Sequence, residues 1–162
     1  MTGPEPALAD GMRLPQLRAV WYSFFAAVAM MGITTWALVG EGDGADAVML
    51  LVIGLVAVVD LGAMVWFRTM GDAALLTAES NEELRAIYTR RFVLGATMAL
   101  SPGVIGFAVA VAAGDVVPYV IGTGVSIPAL LYAGPTDSDI RACDRALIGA
   151  GRPMRLSAAL GA

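Results

Sequence analysis

Asp60 is the residue whose position invites chemistry. It is an ionisable side chain set well inside a long apolar run, from Ala45 to Phe67. At 1.5 Å per helical residue it lies seven residues, about 10 Å, in from Phe67. Counting inward from the same ends of the neighbouring apolar runs brings Thr97, Ser101 and Ser126 to a similar depth. Pro102 removes a backbone donor and frees the Met98 carbonyl, and Pro128 does the same to the Gly124 carbonyl. A carboxylate, three hydroxyls and two freed carbonyls are fit ligands for a proton or a small cation, and carboxylates within membranes commonly mark ion paths. The competing reading is a protonated or water-touched Asp60 that hydrogen-bonds across the bundle and holds it together. Inserting a central aspartate costs about 2.5–3.5 kcal/mol, which a good partner offsets. The structural bond is the reading we prefer.

Other chemistries are excluded by residue type. The chain has no histidine, and all ten of its basic residues are arginine. Imidazole relays, haem ligation and His-based metal sites therefore fall away, and so does a retinal Schiff base on lysine. Hydroxyl nucleophiles lack a histidine base. Intramembrane aspartyl catalysis needs two carboxylates sharing a proton, and Asp60 stands alone at its depth. Cys143 is the single cysteine, so there is neither an intrachain disulfide nor a CxxC pair; it reads as an ordinary thiol in the tail. Met30, Met31, Met64 and Met98 read as lipid-facing or core fillers rather than a thioether metal site. No phosphate-cradling glycine loop is present, so no nucleotide is expected. No basic stripe lies away from the apolar runs, so neither is nucleic acid. The expectation is a non-catalytic protein with no cofactor and no metal.

The elements that would position Asp60 follow from composition. Of the 162 residues, 58% are hydrophobic and 15% charged, and the mean hydropathy is +0.75, whereas soluble domains are about 25% charged. The apolar excess falls in four blocks, Val20 to Gly40, Ala45 to Phe67, Phe92 to Ala113 and Pro118 to about Tyr132. Three of them reach the ~20 residues a helix needs to cross a bilayer; the fourth is short and rich in Gly and Pro. Arg13 and Arg18 precede the first block, Arg68, Arg85, Arg90 and Arg91 separate the second from the third, and Arg141, Arg145, Arg152 and Arg155 follow the fourth. The turns Glu41-Gly42-Asp43-Gly44 and Gly114-Asp115-Val116-Val117 carry no basic residue. Every arginine thus falls on one side of a four-span arrangement, as the positive-inside rule requires of the cytoplasm. Trp21, Trp36 and Trp66, with Arg68, Arg90 and Arg91, are placed to anchor the membrane edges. Pro4, Glu5, Pro6 and Asp10 do not make a basic leader region, and the first block is too long for a cleaved signal.

The fold expected is all-α, a polytopic four-transmembrane-helix bundle of two hairpins with both termini inside. It comprises an N-terminal cytoplasmic segment (1–19), a transmembrane domain (20–134) with a cytoplasmic connector (68–91), and a cytoplasmic tail (135–162). Ser80-Asn81-Glu82-Glu83 fits a capping box that starts a helix running through Arg91 into the third span. Thr136-Asp137-Ser138-Asp139 makes a second such start. Ile140, Leu147 and Ile148 with Arg141 and Arg145 then form a short amphipathic helix suited to the membrane surface, and the residues after Gly149 read as frayed. Gly54, Gly62, Gly103, Gly106, Gly122 and Gly124 allow close helix approach, with Pro102 and Pro128 as kinks. A loose internal repeat pairs Arg18, Gly32 and Gly40 with Arg91, Gly106 and Gly114, each followed by an acidic turn at Asp43 or Asp115.

The run Leu100-Ser101-Pro102-Gly103-Val104-Ile105-Gly106-Phe107 within the third span resembles the carboxylate-bearing helix of rotary ATP synthase proteolipids (subunit c), and the overall layout resembles small four-span bacterial membrane proteins. The likeness covers about twenty residues of Gly, Ala and Pro character. It implies a packed helical hairpin. The ion-carrying glutamate of those proteolipids has no counterpart, because Leu100 and Ser101 occupy its place, so proton translocation is not implied. Small size, short loops and contact glycines point to a structural or accessory subunit of a larger complex in a bacterial plasma membrane. Arginine without lysine, with abundant Ala, Gly and Val, fits a high-GC genome. The alternative is an oligomeric channel or transporter for protons or small cations using the Asp60 layer. The expected partners are the lipid bilayer and either other membrane subunits or further copies of the chain.

Overall fold

The computed structural model describes residues 11–39 and 46–161, all helices and connections. The first acidic turn, with Asp43, lies outside the described residues, as does the segment 1–10. Six helices follow in order: α1 Leu14–Leu38, α2 Ala47–Leu75, α3 Asn81–Ala113, α4 Val117–Ala133, α5 Asp137–Gly149 and α6 Leu156–Leu160. Helices α1, α2 and α3 are each long and apolar enough to cross a membrane. α4 has 17 residues and reaches only ~25 Å. It passes the same test together with α5, from which it is bent by 44°.

Local sequence explains the helix ends. Asp46 caps α2, its carboxylate accepting from the Met49 N–H at 2.8 Å. Ser80 caps α3, its hydroxyl accepting from the Glu83 N–H at 3.1 Å, while the Glu83 carboxylate reaches back to the Glu79 N–H at 2.8 Å. Such capping satisfies donors that the first turn leaves free. α3 ends at Gly114, whose φ of +65° suits glycine, with its N–H bonded to the Ala110 carbonyl. Thr136 opens α5 by accepting from the Asp139 N–H at 3.3 Å.

α3 is the helix on which the others assemble. It packs against α4 most extensively, then α2 and α1, and its first turns also meet α6. The expected first hairpin does not form as a packed unit. α1 and α2 make no extended contact, and each packs on α3 and α4 instead. The reason lies in residue size. The buried face of α3 along its apolar length is Gly95, Ala96, Ala99, Pro102, Gly103, Gly106 and Ala110, a strip of small residues that lets backbones come close. A Cβ on Gly106 would lie 2.5 Å from the Pro118 carbonyl oxygen and 3.2 Å from the Gly122 Cα, and one on Gly122 would overlap the Pro102 carbonyl. α1 has no such strip. It holds to α4 by side chains: the Trp21 Nε1–H donates to the Leu130 carbonyl at 2.9 Å, the Tyr119 hydroxyl donates to the Val28 carbonyl, and Gly134 leaves room for the Trp21 ring.

The large buried side chains gather at the arginine-rich end. At ~1.5 Å per residue, the 29 residues of α2 and the 33 of α3 span about 43 and 50 Å, well beyond a ~30 Å hydrocarbon core. Their overhanging ends join α5 and α6 in a small helical cap. Leu17, Leu84, Leu147, Leu156 and Leu160 are all but inaccessible there. Two expectations fail in this cap. The apolar face of α5 is not free to rest on a membrane surface, because Ile140, Cys143 and Leu147 are buried within the protein and only Ile148 of its large apolar residues is exposed. The chain after Gly149 is not frayed either: it turns at Gly151 (φ +71°) and forms α6, whose Leu156 and Leu160 insert into the core. Asp144 fixes that return, accepting from the Ser157 N–H at 3.2 Å and the Ser157 hydroxyl at 2.6 Å.

Gly122→Ala should lower stability by about 1–3 kcal/mol, the usual cost of overpacking, because the new methyl meets backbone that cannot retreat. Gly62→Ala, with nothing within 4 Å, should not lower the melting midpoint in detergent and should raise it slightly, alanine being the better helix residue. Equal midpoints for the two variants would show that the α3–α4 contact does not depend on absent side chains.

Candidate functional site

The polar layer expected around Asp60 is only partly assembled. Asp60 is half-buried on α2, and its Oδ2 is buried with no hydrogen-bond partner. Ser126 is fully buried on α4 and accepts from the Gly103 N–H at 2.8 Å, so its oxygen is engaged on the turn that follows Pro102. Thr97 points outward on α3 and donates back to the Val93 carbonyl at 2.8 Å. It is at the expected height but on the wrong side of its helix. Ser101 is half-buried. Pro102, Gly103, Gly106 and Gly122 meet at the α3–α4 crossing, whereas Gly124 and Pro128 are exposed and Gly124 has open space around it. Thr123 Oγ1 is a second buried oxygen without a partner.

The dense polar site lies at the cap, where sequence reasoning had placed membrane anchors. Arg91 does not present its side chain outward; it is 6% exposed. Its Nη1 pairs with Asp72 Oδ1 at 2.8 Å and contacts the Cys143 Sγ at 3.3 Å, and its Nη2 pairs with Asp139 Oδ1 at 2.8 Å. Asp139, 8% exposed, also takes Arg68 Nη2 on Oδ1 and the Tyr88 hydroxyl on Oδ2 at 2.9 Å. Arg68 further donates from Nη1 to the Tyr132 carbonyl at 2.7 Å and lies over the Tyr132 ring, 4.3 Å from its centroid. One carboxylate thus gathers donors from α2 and α3, and Arg68 carries the connection on to the end of α4. Arg90, by contrast, is exposed, as are Trp36 (82%) and Trp66 (65%), while Trp21 is half-buried against α4.

Two guanidiniums and two carboxylates balance in this cluster, and both oxygens of Asp139 are occupied. Charge-assisted, multiply bonded groups of this kind are the strong ones, and they compensate a burial that would otherwise cost several kcal/mol per ion. The adjoining small, partly open cavity, about 10 Å³ between Met64, Arg68, Phe92 and Tyr132, has room for about one water. A larger groove of about 290 Å³ opens between α2 and α5 beside Arg68, Asp72 and Cys143. Burial pushes the Cys143 thiol up and Asp139 adds to that, while Arg91 pulls it part of the way back. The thiol is therefore not activated as a nucleophile. Among the described residues no group of three or more metal-ligating carboxylates and thiols forms. The arrangement is a lock: every strong donor is spent on holding helices together.

Asp139, Asp72 and Tyr88 were not singled out from the sequence. The available signal was spacing: Arg68 with Asp72 and Tyr88 with Arg91 share helix faces at i, i+4 and i, i+3, as do Asp139 and Cys143 at i, i+4. Removing Asp139 as Asp139→Asn leaves the buried Arg91 and the half-buried Arg68 short of a carboxylate and should cost about 3–5 kcal/mol. Breaking the exposed Arg18–Asp137 pair (2.6 Å) as Arg18→Gln should cost about 0–1 kcal/mol. Denaturant unfolding followed by Trp fluorescence separates the two, and an Asp139→Asn protein as stable as the parent would refute the lock. Comparison of the chain with protein-family models, with curated proteins and with solved structures finds no match.

Proposed function

We propose that the chain is a small, non-catalytic integral membrane protein, an accessory or structural subunit of a larger complex in a bacterial plasma membrane. In this reading α1, α2, the apolar part of α3 and α4 are four spans, and the cap with both termini faces the cytoplasm. The arginine distribution supports that orientation.

The observation that carries the accessory reading is the outward face of α2. Between Ala47 and Leu75 only Ile53, Ala57, Met64 and Leu75 are buried. Leu51, Leu55 and Val58 are 62–70% exposed, and Gly54 and Gly62 have nothing within 4 Å. Exposed Leu and Val are at home in lipid, but two glycines on one face at i and i+8 are not explained by lipid. Glycine is a poor helix residue, by about 1 kcal/mol against Ala. In membranes small residues recur where another helix approaches. Among the described residues no helix covers Gly54 and Gly62, which leaves that face to a neighbouring subunit.

Native mass spectrometry after gentle detergent extraction from the source membrane should give a reproducible larger complex containing this chain. Gly54→Leu with Gly62→Leu should release the partner while the extracted chain keeps its fold. A homo-oligomer with nothing else bound would sink the accessory reading. It would favour the second one, an oligomeric channel or transporter for protons or small cations, for which the unpartnered Asp60 Oδ2 speaks. There, proteoliposomes should pass protons and Asp60→Asn should abolish the flux; a leak unchanged by Asp60→Asn would exclude the Asp60 path.

A further inference from the structure

Between α2 and α3, at the level where the apolar length gives way to the cap, lies a half-open groove of about 270 Å³. Its walls are Phe67, Met70 and Ala74 from α2 and Ile87 and Leu94 from α3, and Arg90 lines it as well. Its two arginines differ in kind. Arg91 has both guanidinium nitrogens committed to Asp72 and Asp139, and its stem forms a close contact behind the groove, where a Cβ on Gly71 would meet Arg91 Cγ and Cδ at 3.0 Å. Arg90 is exposed and has no ion-pair partner among the described residues. The groove therefore couples an apolar wall to one uncompensated, permanently charged fork of donors.

We infer that this groove binds an anionic phospholipid, with Arg90 on the headgroup phosphate and the upper acyl chain against Phe67, Met70 and Leu94. Three observations choose that occupant. The groove follows the helices for about 10 Å, the seven residues from Ile87 to Leu94, with Phe67 and Leu94 at its apolar end and Ala74 and Ile87 at its cap end, so it has the polarity of a lipid standing in a leaflet. The open side faces outward between two helices long and apolar enough to cross a bilayer. The single free charge is positive and of the type that binds phosphate through paired donors, and basic pockets between transmembrane helices take anionic headgroups. The inference rests on the membrane-spanning reading, and not on the accessory role.

The test uses the full chain purified in detergent, exchanged against phosphatidylglycerol or phosphatidylethanolamine, with bound lipid counted by native mass spectrometry. The wild type should retain phosphatidylglycerol in preference. Arg90→Gln should weaken that retention about fivefold, since one arginine near a membrane surface is worth roughly 1 kcal/mol. Arg90→Lys should keep much of the preference, and Arg141→Gln, an exposed arginine on α5, should keep all of it. Ala74→Phe, which fills the groove and leaves Arg90 in place, should lose the lipid too. Equal retention of the two lipids by the wild type, or undiminished phosphatidylglycerol on Arg90→Gln, overturns the site. Loss in Arg90→Gln with full retention in Ala74→Phe overturns the groove, reducing the effect to surface charge. Release of the protein from source membranes by alkaline carbonate without detergent would overturn the spanning reading itself, whatever the lipid selectivity.

Discussion

The carboxylate of Asp139 is the constraint on which the rest of the structure depends. It is almost wholly buried, and it is held by Arg68, Arg91 and Tyr88. None of these donors has an equivalent partner elsewhere. Arg91 would keep the Cys143 sulfur and, as its one remaining carboxylate, Asp72, which is half in solvent and a weaker compensation for a buried guanidinium. Through Arg68 the same carboxylate reaches the last turn of α4, since Arg68 also binds the Tyr132 carbonyl. The 44° bend between α4 and α5 follows from this geometry. α5 leans away from the α4 axis as it brings Asp139 between the two arginines, and Gly134 and Pro135 form the break that permits it.

Two kinds of cohesion divide the molecule. The cap is held by large apolar residues, and removing Leu84, Leu147, Leu156 and Leu160 from water supplies the usual hydrophobic driving force. Along the apolar lengths that force vanishes in a lipid setting, because hydrocarbon outside a helix is as apolar as leucine within it. There the contacts are made by what is missing: Gly103, Gly106 and Gly122 bring the α3 and α4 backbones together. The buried Ser126 hydroxyl adds one directional bond to the Gly103 amide at the same crossing. α3 joins both regimes in one continuous helix, small-sided at one end and flanked by Leu84, Tyr88 and Phe92 at the other.

Much of this was legible in the sequence where the signal was local. Ser80 and Thr136 marked helix starts through short-range capping, and the glycines of α3 and α4 announced a close crossing. What could not be read was azimuth and pairing. Depth counting set Thr97 level with Asp60 and Ser126, yet height along a helix says nothing about which side a residue faces, and Thr97 points outward. Arg91 was read as a lipid contact because the rule that places arginines on one side of a membrane is blind to whether each one is free or paired. Its partner Asp139 lies 48 residues further on, in a stretch whose own logic was that of a helix cap. The amphipathic pattern of α5 was real, but a pattern reports that a face is apolar and not what covers it. α6 is too short to carry any periodicity.

The order of the chain adds a consequence for how the molecule is made. Arg68 and Arg91 leave the ribosome well before Asp139, and Ser157, which binds α5 through Asp144, comes later still. Until Asp139 emerges, the two guanidiniums lack the carboxylate they share in the folded chain. The lock closes only after α5 has followed the four longer helices out. A chain that stopped before Thr136 would carry α1 to α4 yet lack the carboxylate that ties Arg68 to Arg91 and so joins the ends of α2 and α3 to α4.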